Sequence, residues 1–153
     1  MKVLNKELVI IGAGPAGLSA AVEAERLGLR DILILERNDE LGGILQQCIH
    51  DGFGIHRFGR GFSGPQYAQM FIDKLKGTVI ERKLNTMVLD ILPEKIIYAA
   101  NSEDGILEIH ANSIILAMGC RERTRNQVFI YGTRPSGIMT AGTVQRYINI
   151  EGF

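Results

Sequence analysis

The chain contains no tryptophan, only two cysteines and four prolines in 153 residues, and no excess of either charge. The cysteines, Cys48 and Cys120, are too few for a disulfide framework, and their spacing fits no metal site. Because 17 basic residues balance 17 acidic ones, neither nucleic acid nor an anionic membrane is expected as a partner. No apolar stretch approaches the length of a membrane span, and the charged start does not resemble a signal peptide. We therefore expect a cytoplasmic chain without a metal site.

Glycine is abundant instead, and three glycines near the start form the most informative motif. An apolar run at 8–11 is followed by Gly12-Ala13-Gly14-Pro15-Ala16-Gly17 and then by apolar residues at helical spacing. A second apolar run at 32–35 ends on Glu36. Strand, glycine-rich turn, helix, strand and terminal acid occur in the order of a dinucleotide-binding βαβ unit. The sequence therefore predicts a dinucleotide site at the start of the chain.

Each motif residue has a physical role in such a site. Gly12 permits a tight turn, Gly14 lets a pyrophosphate approach the backbone, and Gly17 lets the helix pack close to the strand. Pro15 falls near the first helical position, where its missing N–H costs nothing. The start of the helix then offers free N–H groups and a partial positive charge to phosphates.

The acid that ends the second strand bears on the identity of the dinucleotide. Glu36 can accept hydrogen bonds from both hydroxyls of an adenosine ribose, and its charge repels a 2′-phosphate. This favours FAD or NAD over NADP, although the adjacent Arg37 weakens the exclusion. The motif alone leaves FAD and NAD open.

Downstream patterns predict the rest of the fold. A long glycine-rich loop is expected at 46–65, then a helix beginning at Pro65 and capped by Ser63 or Gly64, and a last helix beginning near Thr140. Short strands are expected at 78–80, 86–91, 96–99, 106–110 and 114–119. The last strand is a continuous apolar run, which is typical of a strand buried on both faces. The order predicts an α/β domain over 1–153: a Rossmann-like, three-layer ββα fold with a central parallel sheet and an antiparallel β-meander crossover.

These residues resemble the FAD domain of the two-dinucleotide flavoproteins, the group that contains glutathione reductase and thioredoxin reductase. The resemblance is carried by 12–18, Glu36-Arg37, Gly42-Gly43, the β meander and 116–119. The segments 121–123 and 132–143 also resemble the flavoprotein subunits of amino-acid and opine dehydrogenases and of heterotetrameric sarcosine oxidase. The resemblance covers almost the whole chain and favours FAD over NAD as the cofactor of the first site.

The resemblance also implies which residues bind that cofactor. Gly12, Gly14, Pro15 and Ala16 would face the FAD pyrophosphate, with Gly17 behind them, while Glu36 and Arg37 would flank the adenosine ribose. Gly43 and Ile44 would lie along the pyrophosphate and ribityl side, the backbone of Val88 would meet the adenine, and Ala117 and Gly119 would pass close beneath the cofactor.

The chain departs from this group in two respects. Disulfide reductases carry a cysteine pair just after the double glycine, whereas only Cys48 occurs here, which excludes a dithiol relay within this chain. Members also continue into an NAD(P)-binding domain, and this chain ends about where that domain would begin. We therefore expect the N-terminal FAD-binding part of a longer, NAD(P)-linked oxidoreductase, inactive by itself.

Cys48 and two histidines of the glycine-rich loop are the catalytic candidates. Cys48 could be a redox thiol with a pKa lowered by His50, or a small apolar residue of no chemical consequence. His50 and His56 could orient a substrate, or they could be surface groups of the loop.

Three functions fit the sequence. The first is an FAD-dependent oxidoreductase that passes hydride or electrons between a nicotinamide cofactor or an amino-acid-like small-molecule substrate and an acceptor. A partner flavoprotein or iron–sulfur subunit is compatible with it. The second is a non-catalytic module that binds FAD or only its ADP moiety. The third, an NAD-dependent dehydrogenase domain, does not account for the β meander.

Overall fold

In the computed structural model, which describes residues 1–153, six strands form one sheet. In chain order they are β1 (Lys2–Ile11), β2 (Ile32–Leu35), β3 (Glu81–Lys83), β4 (Met87–Ile91), β5 (Ile96–Asn101) and β6 (Gly105–Leu116). Their order across the sheet is β3-β2-β1-β6-β5-β4. The first four strands in this order pair in parallel, and β6, β5 and β4 form an antiparallel meander. The expected α/β fold with its β-meander crossover is confirmed.

Four α-helices and one 3-10 helix accompany the strands. They are α1 (Pro15–Arg26), the 3-10 helix Gly43–Gln47, α2 (Ile55–Phe58), α3 (Gly64–Lys74) and α4 (Ala141–Asn149). Ser63 caps α3, because its hydroxyl accepts the N–H of Gln66 while its own N–H donates to the Gln66 side chain. Thr140 is the N-cap of α4. No helix has the length and apolarity needed to cross a bilayer.

Two hydrophobic clusters separate the layers. Successive residues of a strand point to opposite faces of a sheet, so β1 and β2 contribute alternately to the two clusters. The helix-side cluster includes Leu8, Ile10, Leu18, Ala21, Ile32, Ile34, Phe71 and Leu75. The meander-side cluster includes Val9, Ile11, Leu33, Leu35, Ile97, Leu107 and Ile109. The parallel part of the sheet therefore has helices packed on one face, and side chains of the β meander pack against its other face.

The strands expected at 106–110 and 114–119 are one strand, β6, which corrects the sequence-based prediction. Asn112 and Ser113 interrupt the apolar pattern, but the parallel register with β1 continues through them from Leu107 to Leu116. Backbone pairing does not depend on the polarity of the side chain. The end of β6 is also not buried on both faces, since Leu116 is 60% exposed.

Two further predictions differ from the structure, one in the position of a strand and one in the structure of a loop. Residues 78–80 are not a strand; the strand begins at Glu81, where pairing with Leu33–Leu35 sets its register, and Ile80 instead packs into the helix-side core. An edge strand can carry charged side chains, so its sequence gave little signal. The segment 46–65 is not an open loop, because it contains α2 and an antiparallel bridge between Phe53 and Phe62.

Candidate dinucleotide-binding site

The carboxyl ends of β1, β2 and β6 meet at one edge of the sheet. Gly12, the first residue after β1, donates its N–H to the carbonyl of Leu35 at 2.8 Å, and Ala117 donates to the carbonyl of Ile11 at 2.8 Å. In open parallel sheets, ligands bind at the carboxyl ends of the strands. The glycine-rich turn therefore leaves the sheet where a ligand site is expected.

Two glycines of the turn are closely packed. Gly12 has φ +102°, and a Cβ there would lie 2.5 Å from the Ala117 carbonyl oxygen. A Cβ on Gly17 would lie 1.9 Å from the carbonyl oxygen of Gly12. Both distances are far shorter than a van der Waals contact, so hydrogen is the only side chain that fits. These residues join the turn, α1 and the end of β6 into one rigid unit.

Gly14 is different, because a Cβ there would meet no atom within 4 Å. Gly14 is the N-cap of α1, where no side chain makes a capping hydrogen bond, and Pro15 occupies the first turn. Pro15 and Ala16 are exposed. The N–H groups of the first helical turn have no intrahelical acceptor, so they and the positive end of the helix dipole face open space beside Gly14. This arrangement can accept the phosphates of a nucleotide.

Glu36 lies directly behind the turn and is only 5% exposed. Its carboxylate accepts the N–H of Ala13 at 2.8 Å through one oxygen and the N–H of Asn38 at 2.9 Å through the other. Each carboxylate oxygen can accept a further hydrogen bond, so acceptance of ribose hydroxyls is still available. The bond to Ala13 was not predicted, because the sequence motif indicates a ligand contact and not a contact within the protein. Arg37 is exposed.

The double glycine packs against the turn from the other side. Gly42 donates its N–H to the carbonyl of Ala13 at 2.8 Å, and a Cβ on Gly43 would lie 2.9 Å from the Cα of Gly14. Gly42 and Gly43 have φ values of +111° and +55°, which glycine adopts at little cost. Ile44 follows and is 58% exposed.

The structure thus brings most of the sequence-predicted residues together. Close contacts join Gly12, Gly17 and Ala117 and join Gly14 to Gly43, while Glu36 is connected to this turn through the N–H of Ala13. Val88 lies in β4, two residues after Thr86, which donates its N–H to the Glu36 carbonyl. Gly119 has φ +71° and no neighbour within 4 Å of its added Cβ.

The family model described as pyridine nucleotide-disulphide oxidoreductase matches residues 6–144. The chain belongs to this family. Its members are FAD-binding oxidoreductases, so the resemblance stated from the sequence is confirmed.

Individual relatives agree with the family. Hydrogen cyanide synthase subunit HcnB of Pseudomonas protegens is 32% identical over 76% of this chain and 25% of that protein. Sarcosine oxidase subunit alpha of Corynebacterium sp. strain P-1 is 31% identical over 97% of this chain and 16% of that protein. The solved thioredoxin reductase of Streptococcus pyogenes MGAS5005 superimposes with a TM-score of 0.61 and 26% identity, covering 78% of this chain and 37% of that one. The chain spans a quarter or less of the length of the two curated relatives.

Cys48 and His50 do not form a pair in this pyridine nucleotide-disulphide oxidoreductase chain. Cys48 is half-buried, and its carbonyl accepts the N–H of Gly64 at 2.8 Å. His50 is exposed; its ring lies 5.2 Å from that of Phe53, and its Nδ1 lies 3.2 Å from the Asp51 carbonyl oxygen. No hydrogen bond joins the thiol to the imidazole, and a redox role for Cys48 stays a prediction.

The charged segment 121–125 builds the connection between β6 and α4. The Arg125 guanidinium donates to the carbonyl oxygens of Ile130, Gly132 and Thr133, each at 2.7 Å. Glu122 accepts the N–H of Gly142 at 2.8 Å at the start of α4. The side chains of Arg125 and Glu122 therefore form hydrogen bonds with the backbone of this connection.

Helix α4 returns to the candidate site. The Gln47 side chain donates to Gln145 at 2.9 Å, and the Asn149 side chain donates to the Gln47 carbonyl at 2.7 Å. A cavity of about 310 Å³ is lined by 38–40, Gly43, 46–47, Arg146 of α4 and the two residues that follow the helix, 150–151. The sequence indicated α4 but not its contact with the 3-10 helix.

Glu122 gives a pH-dependent test of how α4 is held. Hydrogen bonds from the Thr140 hydroxyl and from the N–H groups of Gly142 and Thr143 lower the pKa of Glu122 below its ordinary 4.5. Because the folded pKa is the lower one, the stabilisation of the α4 terminus is complete above about pH 4.5 and is lost as the pH falls through the lowered pKa. In NMR titrations, we expect the Glu122 carboxyl carbon and the Gly142 amide proton to share a midpoint below 4.5. In Glu122→Gln the Gly142 shift should no longer titrate, and a wild-type midpoint at or above 4.5 would contradict this role.

Proposed function

We propose that this chain binds FAD as the FAD-binding part of a flavin-dependent oxidoreductase. The observation that carries the proposal is the contrast among the glycines. A Cβ on Gly12, Gly17 or Gly43 would overlap the protein itself, whereas a Cβ on Gly14 would enter open space at the start of α1. A close-packed turn with one open glycine suits a pyrophosphate that must touch the backbone.

The residues present fit the ADP moiety of FAD. Gly12, Gly14, Pro15 and Ala16 would face the pyrophosphate with Gly17 behind them, and Glu36 would accept the ribose hydroxyls with Arg37 beside it. Gly43 and Ile44 would follow the chain of the cofactor, the Val88 backbone would meet the adenine, and Ala117 and Gly119 would lie beneath it. The bound flavin would supply the redox chemistry, while the protein supplies placement and electrostatics.

We further propose that the longer protein passes hydride or electrons between a nicotinamide cofactor or an amino-acid-like substrate and an acceptor. Two named relatives are subunits of a sarcosine oxidase and of a hydrogen cyanide synthase, which supports a small amino compound as substrate and a partner subunit. Cys48 has no second cysteine near it in the sequence, which favours an acceptor other than an internal disulfide.

A second candidate is a module that binds only the ADP moiety. It is favoured by the end of β6, where Leu116 and Met118 are 60% and 61% exposed. The glycine-rich turn and Glu36 are, by contrast, tightly built. On this proposal the adenosine end of the site suffices for binding.

Titration of the purified chain with FAD, ADP and NAD tests these proposals. We expect FAD to bind with a shifted visible band, and ADP to displace it, because both present the same pyrophosphate and adenosine. Adenosine 2′,5′-bisphosphate should bind about tenfold more weakly than AMP, the matched ligand without the 2′-phosphate, since Glu36 repels that phosphate.

Each outcome of the titration separates the candidates. Binding of ADP without retention of the flavin would favour the ADP-binding module. Failure of ADP to compete with FAD would contradict the placement of the site. Binding of NAD with greater affinity than FAD would favour the dehydrogenase interpretation.

A further inference from the structure

The backbone of Glu36 is held from both sides by the segment 83–86. Its N–H donates to the carbonyl of Lys83 at 2.9 Å, and its carbonyl accepts the N–H of Thr86 at 2.8 Å. Between these residues, Asn85 has φ +49° and donates its N–H to the carbonyl of Asn38 at 2.9 Å. Asparagine tolerates this left-handed conformation better than most residues. The turn therefore directs two successive N–H groups back to the strand end that carries Glu36.

Thr86 is itself fixed by a side chain from the meander. It is 1% exposed, and its hydroxyl donates to the Leu84 carbonyl at 2.8 Å. The same hydroxyl oxygen accepts a hydrogen bond of 3.1 Å from the side-chain amide of Asn101, the last residue of β5. A buried hydroxyl with both a donor and an acceptor partner has a single favourable orientation. The Asn101 side chain thus holds the Thr86 hydroxyl in one orientation.

The side chain of Lys83 is held by Asp104, which lies in the turn that follows β5. Its ammonium donates to Asp104 at 2.6 Å, and Asp104 also accepts a hydrogen bond of 2.9 Å from Lys2. Hydrogen bonds from Lys83, Lys2 and Asn101 hold the pKa of Asp104 well below its ordinary value, so the carboxylate is charged at neutral pH. Lys83 is the residue whose carbonyl accepts the N–H of Glu36.

Asn101, which holds Thr86, and Asp104, which holds Lys83, belong to one small turn. The Asn101 side-chain oxygen accepts the N–H groups of Glu103 and Asp104 at 3.0 and 2.6 Å. This pattern is an Asx turn, in which asparagine replaces a backbone carbonyl. Asn101 and Asp104 therefore keep a constant separation, and the two routes to Glu36 start from a common rigid base.

We propose that the turn 101–104 is a positioning element of the dinucleotide site, which fixes the Glu36 carboxylate toward the ribose through Thr86 and Lys83. The inference rests on the proposed binding of FAD and adds a residue set that does not touch the cofactor. The turn holds Thr86, which donates its N–H to the Glu36 carbonyl, and Lys83, whose carbonyl accepts the Glu36 N–H. A shift of that backbone would move the acceptor of the ribose hydroxyls, because the carboxylate is attached to it.

The test compares ADP with 2′-deoxy-ADP, because their affinity ratio reports the contact between Glu36 and the ribose. We expect wild type to prefer ADP by about tenfold, the effect of a hydrogen bond to a charged group. In Thr86→Val, which keeps the shape but removes the hydroxyl, the preference should fall to less than twofold. A merely structural loss of stability would weaken both ligands equally and leave the ratio unchanged.

Three further variants complete the experiment. Thr86→Ser keeps the hydroxyl and should restore the preference. Tyr98→Phe removes a 3.3 Å hydrogen bond to Glu108 elsewhere on the β5–β6 hairpin, and should leave the preference unchanged. Asn101→Asp keeps the acceptor of the Asx turn but loses the donor to Thr86, so it provides the same comparison if Thr86→Val does not fold.

The outcomes separate this inference from the proposal on which it rests. If wild type binds neither ligand, or binds both equally, the assignment of Glu36 to the ribose fails. If wild type prefers ADP and both Thr86→Val and Asn101→Asp keep that preference, the ribose contact stands and the positioning role of the turn is overturned.

Discussion

The Gly14→Val variant should fold normally and lose its affinity for ADP and FAD by about a hundredfold or more. The backbone of Gly14 has φ −72° and ψ −174°, an extended conformation that valine adopts readily. An added Cβ meets no protein atom within 4 Å, so the native structure has room for it. The branched side chain would instead fill the space in which the pyrophosphate approaches the helix terminus. Calorimetry with ADP measures the affinity, and thermal unfolding shows whether the fold is kept.

A matched control for this variant is Gly61→Ala, where the nearest atom to an added Cβ lies at an ordinary 3.4 Å, away from the turn. It should change neither the melting temperature nor the affinity for ADP. Unchanged ADP affinity in a folded Gly14→Val variant would refute the placement of the pyrophosphate. Loss of affinity together with loss of folding would show instead that Gly14 packs within the protein.

The Gly17→Ala variant should show the opposite behaviour, with a large loss of stability. Its Cβ would lie 1.9 Å from the carbonyl oxygen of Gly12 and 3.4 Å from the Ala117 Cβ. The turn cannot retreat, because Gly12 is also bonded to Leu35 and contacts Ala117. Relief of this overlap should cost about 3 kcal/mol, which lowers Tm by roughly 10 °C in a chain of this size.

Calorimetric unfolding of Gly17→Ala beside Gly61→Ala measures this cost. A Tm within about 2 °C of wild type, on the order of the effect of a surface substitution, would mean that α1 can move away from the turn. Together, the Gly14 and Gly17 variants would assign ligand contact to one glycine of the motif and internal packing to the other.

The elements that local sequence determines were predicted well. The order of β1, turn, α1 and β2 follows from residue spacing and from the conformational freedom of glycine, both of which are local properties. The capping of α3 by Ser63, one of the two residues expected, and the start of α4 at Thr140 are equally local. Because the motif also fixes which strand ends meet, the sequence alone was enough to place Gly12, Gly14, Gly17 and Glu36 at one site.

What the sequence left open depends on pairing between distant segments. The bond from Ala13 to Glu36 and the bond from Gly42 to Ala13 lie within the predicted site, but no residue pattern encodes either contact. The charged strand β3 owes its position to its partner β2, and so a propensity argument placed it three residues too early. The hydrogen bond between Asn101 and Thr86 was not predicted either, because asparagine and threonine side chains form hydrogen bonds in many different settings.

The unbroken course of β6 has a consequence for insertions and deletions. Its pairing with β1 keeps one register from Lys2↔Leu107 to Ile11↔Leu116. Since side chains alternate along a strand, one residue added near Asn112 would turn every later side chain to the opposite face and displace Ala117 from beneath Gly12. The turn at 92–95 can absorb a change of length, but β6 cannot. Among homologues, length variation should therefore accumulate in that turn, while the number of residues from Leu107 to Ala117 stays constant.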